Sequence, residues 1–163
     1  MKTYPQIERR EKEKHGDHHP SYLTSKHNIG ACLQDMGNYK DALITYEEVE
    51  KIRKEVHGDH HPSYLTTKHD IAGCLLNMGN YKDALKTFEE VEKIHKEVHG
   101  DHHPSYLTTK DHIGRCLLNM GNYKDALKTF EEVEKIRKEV HGDHHPSYLT
   151  TCLLYTSPSP RDS

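Results

Sequence analysis

Met78-Gly79-Asn80-Tyr81-Lys82-Asp83-Ala84-Leu85 is the stretch that decides the fold. A glycine interrupts an apolar pattern, an asparagine follows it, and an acidic residue stands three positions further on. Glycine takes the left-handed conformation that closes a helix, asparagine is a common N-cap, and Asp83 lies near the positive end of the next helix dipole. The stretch therefore predicts two helices joined by a tight turn. It occurs three times, starting at Met36, Met78 and Met120. A second string, Gly-Asp-His-His-Pro-Ser-Tyr-Leu-Thr, starts at Gly16, Gly58, Gly100 and Gly142, which sets a period of 42 residues. Self-similarity at this period is the mark of a repeat architecture.

Working outward in the second copy, a helix is predicted from about Pro62 to Met78, since proline suits the first helical turn. Tyr64, Leu65, Ile71, Cys74, Leu75 and Met78 form its apolar stripe. The following helix carries Tyr81, Ala84, Leu85, Phe88, Val91, Ile94 and Val98 on one face. Its opposite face has Glu89–Lys93 and Glu92–Lys96 at i,i+4, a solvated face and not a site. Neither helix can bury its stripe alone, so tandem copies predict an all-α fold, an α-α superhelix of three helix pairs with partial repeats at both ends.

Composition narrows the function. The chain has 163 residues, a formal charge of −3 and 33% apolar residues. No basic field is present to hold nucleic acid or an anionic membrane. No apolar run approaches the ~18 residues of a membrane span, and no signal peptide opens the sequence. The low apolar share fits a row of thin cores shared by neighbouring repeats. There is no CxxC, no glycine-rich phosphate loop and no nucleophile–base pairing, so no catalytic constellation is predicted. The pairs Glu47-Glu48, Glu89-Glu90 and Glu131-Glu132 are adjacent on helices and point in different directions.

Gly79, Tyr81, Ala84, Leu85 and Phe88, in the order G-x-Y-x-x-A-L-x-x-F, resemble the tetratricopeptide repeat signature, with Ala72 and Cys74 at its small packed positions. The 42-residue period and the connector from Glu92-Lys93-Ile94 through Gly100-Asp101-His102-His103-Pro104 are similar to those of kinesin light chain repeats. The resemblance spans Tyr4 to Thr151. It divides the chain into the end of a preceding helix (1–15), repeats 16–57, 58–99 and 100–141, and the start of a fourth (142–151). It departs from the family where His60 replaces the aspartate before His-Pro, so the helix cap there comes from Asp59 or is absent. The coiled coil that would join a light chain to its heavy chain is not in this sequence, and neither is a carboxylate clamp of the chaperone-binding kind.

The resemblance implies a cytoplasmic interaction scaffold that binds a partner peptide in a concave groove, with kinesin heavy chain engaged through segments outside this chain. By the family pattern the groove residues are Thr24, His27, Asn28, Ala31, Gln34 and Asp35 in the first copy. The second copy places Thr66, His69, Asp70, Gly73, Leu76 and Asn77 there, and the third Thr108, Asp111, His112, Arg115, Leu118 and Asn119. Copies one and two differ at nine positions and copies two and three at five; seven of these fourteen differences fall on the six groove positions. Drift on an exposed face explains such clustering, and so does diversification of a binding groove. An alternative within the same class is a repeat array of a multidomain signalling protein.

Twelve of the sixteen histidines lie in the four His-Gly-Asp-His-His-Pro loops. Imidazole and carboxylate can ligate zinc or nickel, which makes a His-loop metal-binding protein the reading from another class. The family connector already contains His-Pro, so structural histidine is favoured, and neither metal nor cofactor is predicted. Joint protonation of the loops near pH ~6.5 is expected to shift stability. Cys32, Cys74 and Cys116 recur at the repeat period and are expected as small buried thiols, too far apart for disulfides. Back-translation of Cys152–Asp162 reads as a sequencing adaptor in frame, so 152–163 is expected to be a non-native tail. Uncovered apolar residues at Tyr4 and Ile7 in front, and Tyr148 and Leu149 behind, predict marginal stability or self-association.

Overall fold

The computed structural model describes residues 4–16 and 18–141. The adaptor-like tail and the fourth-repeat start therefore lie outside the described residues. Among those residues the secondary structure is seven α-helices: α1 Tyr4–His15, α2 Pro20–Asp35, α3 Tyr39–His57, α4 Pro62–Asn77, α5 Tyr81–His99, α6 Pro104–Asn119 and α7 Tyr123–His141. This is the tandem-helix-pair class that the periodicity predicts. Two compact units divide the chain, Met1–Ile94 and His95–Ser163, with the division inside α5.

The Met-Gly-Asn turns close as the sequence implies. Gly79 has φ +82°. Its N–H donates to the Leu76 carbonyl at 3.0 Å and the Asn80 N–H to the Leu75 carbonyl at 2.9 Å, the paired bonds of a Schellman cap. The asparagine behaves differently from expectation. Asn38 makes no side-chain cap bond. Its amide donates to Asp41 Oδ2 at 2.8 Å, as Asn80 does to Asp83. The acidic side chain of the first turn captures the amide, so the asparagine braces the turn through that carboxylate.

The loop histidines supply the missing caps. Before α4, His61 takes the extended N-cap conformation and its side chain accepts from the Ser63 N–H at 3.1 Å. His19 and His103 do the same for α2 and α6. Asp59 is not the cap; its carboxylate is 2.6 Å from His60 Nδ1. Proline at the first helical position makes the preceding residue the N-cap, and that residue is a histidine in every copy.

In the first unit, Ala42, Leu43 and Tyr46 of α3 pack with Ile71, Cys74 and Leu75 of α4 and with Leu33 of α2. Tyr64 and Leu65 are buried at the start of α4, as predicted, and Thr67 and Ala72 join them. Two stripe residues differ: Met78 and Val98 end their helices largely exposed, at 45% and 43%. In the second unit, Tyr106 and Leu107 of α6 pack with Val133 and Ile136 of α7.

Candidate peptide-binding face

The first unit brings α2 and α4, each the first helix of its pair, together through side chains predicted to line the groove. His27 Nε2 lies 3.0 Å from Asp70 Oδ2. The His27 ring also packs on Tyr46, with centroids 5.0 Å apart. Gln34 Oε1 accepts from the Tyr46 hydroxyl at 3.1 Å. The Gln34 amide nitrogen stands 3.6 Å from where a side chain on Gly73 would begin. Thr24, Asn28, Asp35, Thr66 and Asn77 are exposed, and Ala31 is half-buried. Thr66 donates its hydroxyl back to the Pro62 carbonyl at 2.9 Å.

Two of the predicted residues sit differently from an open groove. Leu76 is only 8% exposed and belongs to the packed interior. His69 sets its ring edge-on against Phe88 at 5.1 Å, so that much of it is packing surface.

Arg53 is a residue the sequence reading missed. It reaches from α3 to α4, donating to Thr67 Oγ1 at 2.7 Å and to the Ser63 carbonyl at 3.2 Å. Burial lowers its pKa, opposed by the Asp70 carboxylate. The same carboxylate, after burial itself, helps raise the pKa of Tyr46. A signal was present: this position alternates as Arg53, His95 and Arg137 among copies that are otherwise nearly identical.

The second unit repeats the scheme with other chemistry. Asp111 replaces the histidine at its position, and Arg137 donates to its Oδ2 at 2.6 Å. His112 Nδ1 pairs with the Thr108 carbonyl at 2.8 Å, and Asn119 donates to the Arg115 carbonyl at 2.9 Å. Arg115 is exposed, and so are Thr108 and Leu118. No group of three or more His, Cys, Asp or Glu suited to a metal is formed among the described residues. Burial, with Asp70 as a lesser cause, pushes the Cys74 thiol up to about 11 and keeps it protonated.

Paired helices with a polar, partly exposed face on the first helix of each pair define a helical-repeat protein. A family model for the tetratricopeptide repeat matches residues 6–55, 21–97 and 63–139, and the chain belongs to that family. Members of this family mediate protein–protein interaction. A crystal structure of a Podospora anserina protein named for kinesin light chain, with nearly identical TPR-like repeats, is 26% identical. It aligns over 91% of this chain and 70% of its own, with a TM-score of 0.80. A single-substitution variant of that protein is 25% identical over the same shares, with a TM-score of 0.81. BtubC (BKLC) from P. vanneervenii shares the fold at 14% identity and a TM-score of 0.75, over 98% of this chain and 59% of its own. A comparison with curated protein sequences finds no match.

Proposed function

We propose that this chain is a non-enzymatic interaction module, built of repeats 16–57, 58–99 and 100–141, that binds a partner peptide through the exposed faces of its first helices, α2 and α4 in the first unit and α6 in the second. One observation carries the reading. Ala31, Gly73 and Arg115 occupy one position, and Asp35, Asn77 and Asn119 another; both positions are exposed or half-buried and vary from copy to copy. Exposed amides and carboxylates suit side-chain hydrogen bonds to a peptide, with modest apolar contact. Likeness to kinesin light chain-like repeats extends the proposal to cargo recognition on a cytoplasmic microtubule motor. No helix among the described residues is long and apolar enough to cross a membrane.

Peptides selected against the immobilised chain test the site. Binding should be lost in Asn28→Lys, Asn77→Lys or Arg115→Glu and kept in Lys93→Glu on the opposite face. Loss in Lys93→Glu alone would place the site elsewhere. Recovery of a kinesin heavy chain by proximity labelling in the source cell separates the motor reading from a signalling array.

A further inference from the structure

We propose that the joint between α5 and α6 is built to yield: His95 stands where Arg53 bolts α3 to α4 and cannot make that bolt, so α6 parts from the end of α5 more readily than α4 parts from α3. The proposal goes beyond peptide binding and does not rest on it.

The two joints share one plan. At the first, Arg53 donates to Thr67 Oγ1 at 2.7 Å and to the Ser63 carbonyl at 3.2 Å. At the second, the receiving side is intact. Thr109 is fully buried and donates to the Ser105 carbonyl at 2.8 Å, as Thr67 does to the Ser63 carbonyl at 2.9 Å. The giving side is not. The residue in register with Arg53 is the half-buried His95, and its Nδ1 is buried with no hydrogen-bond partner. A buried polar atom left in this way is itself a cost. Burial, with His99 and His103 as lesser causes, lowers the pKa of His95, so no fixed charge stands there. The connectors are alike in both joints. The rings of His57 and His61 stack at 4.2 Å, and so do those of His99 and His103. His61 and His103 accept from the Ser63 and Ser105 N–H groups at the same 3.1 Å.

Two further differences point the same way. Asp70 of α4 reaches back to α2, its Oδ2 3.0 Å from His27 Nε2. α6 has His112 at that position, so the carboxylate has no counterpart there, and the Nδ1 of His112 pairs with the Thr108 carbonyl of its own helix at 2.8 Å. α6 also carries Gly114 where α4 has Ala72, and glycine is the weaker helix former. A native fold opens first where the ties that hold an element are fewest. α6 and α7 can therefore part from the end of α5 while α3 and α4 stay closed.

Native-state hydrogen exchange of the 163-residue chain, read by mass spectrometry in peptides from α4 and α6, tests this. In the wild type α6 should exchange faster than α4. His95→Arg supplies the missing donor and should slow exchange in α6 roughly five- to thirty-fold, with α4 unchanged. In a Thr109→Val background, which lacks the hydroxyl acceptor, the same substitution should gain much less. Arg53→His should quicken exchange in α4 by a similar factor, and it is the second variant where His95→Arg does not fold. Each swap is read within one helix, so the place of α6 along the chain does not enter. Circular dichroism checks that the variants are folded. A wild type in which α4 exchanges faster than α6, slowing by His95→Arg that is absent or shared equally by α4 and α6, a gain untouched by Thr109→Val, or an unaltered α4 in Arg53→His would each overturn the proposal.

Discussion

The Tyr46 hydroxyl donates to Gln34 Oε1 at 3.1 Å, and the two later repeats replace both partners at once, with Phe88 and Leu76 and with Phe130 and Leu118. One of the differences that looks like groove variation is therefore half of an exchange within a repeat, a polar pair for an apolar one. Tyr46 is 1% exposed, so its hydroxyl has little access to water. Tyr46→Phe alone should destabilise the chain by about 1 kcal/mol, because the glutamine oxygen loses its donor in a half-buried place. Adding Gln34→Leu should recover most of that. A double-mutant cycle by urea unfolding measures the coupling, and additive effects would show that the two side chains are independent.

Arg53 is the bolt between α3 and α4 through Thr67 and the Ser63 carbonyl. Arg53→Ala should cost about 1–2 kcal/mol, the range of a partly exposed hydrogen bond from a charged donor. Hydrogen exchange should quicken in α4 more than in α2. Equal acceleration throughout would mean the arginine serves only global stability.

Gly30 and Gly114 face aromatic rings closely. A Cβ on Gly30 would fall 2.7 Å from Tyr46 Cε1, and one on Gly114 2.7 Å from Phe130 Cε1. Helix propensity favours alanine by about 1 kcal/mol, and overpacking opposes it by about 1–3 kcal/mol. The position of the ring decides which wins. Tyr46 is buried and tethered through Gln34, so Gly30→Ala should be net destabilising by about 1 kcal/mol. Phe130 is half-buried and has no hydroxyl to hold it, so Gly114→Ala should be close to neutral. The second repeat already carries that solution, with Ala72 and Phe88 both fully buried. Thermal melts of the two variants test the difference.

Acid should weaken the fold through His95. Burial, with His99 and His103 as further causes, lowers the pKa of His95. A histidine whose folded pKa lies below its unfolded value contributes stability that is present above the unfolded pKa and is lost as pH falls through the folded one. His102 opposes the trend: Asp101 and Glu139 raise its pKa, so its contribution is present at low pH and lost as pH rises through that raised value. It lies in solvent and is the smaller effect. The urea midpoint should therefore fall between about pH 7.5 and about pH 5.5, the range spanning an ordinary imidazole. His95→Gln removes the ring whose pKa is lowered and should reduce the fall. A midpoint unchanged over that range would refute the assignment.

The helix pairs were legible because glycine at Gly37, Gly79 and Gly121 fixes the turns and the period repeats them. The caps were half legible. Pro62 marks the start of α4, but imidazole is not among the usual N-cap side chains, so the sequence alone points to Asp59 or to no cap and not to His61. The family pattern places Leu76 in the groove, whereas the structure buries it. The buried arc of α4 is wider, taking in Tyr64, Leu65, Thr67, Ile71, Ala72, Cys74 and Leu76. Arg53 escaped because its partners lie in the next repeat, where periodicity within one helix carries no information.

Cys32, Cys74 and Cys116 occupy one position in the first helix of three successive repeats, the first half-buried and the other two closed off. The chain thus carries a native set of chemical clocks. A maleimide can react with Cys74 or Cys116 only when the surrounding helices part, and peptide mapping separates the three sites. Their labelling rates would report, repeat by repeat, where this array breathes first, without a single introduced probe.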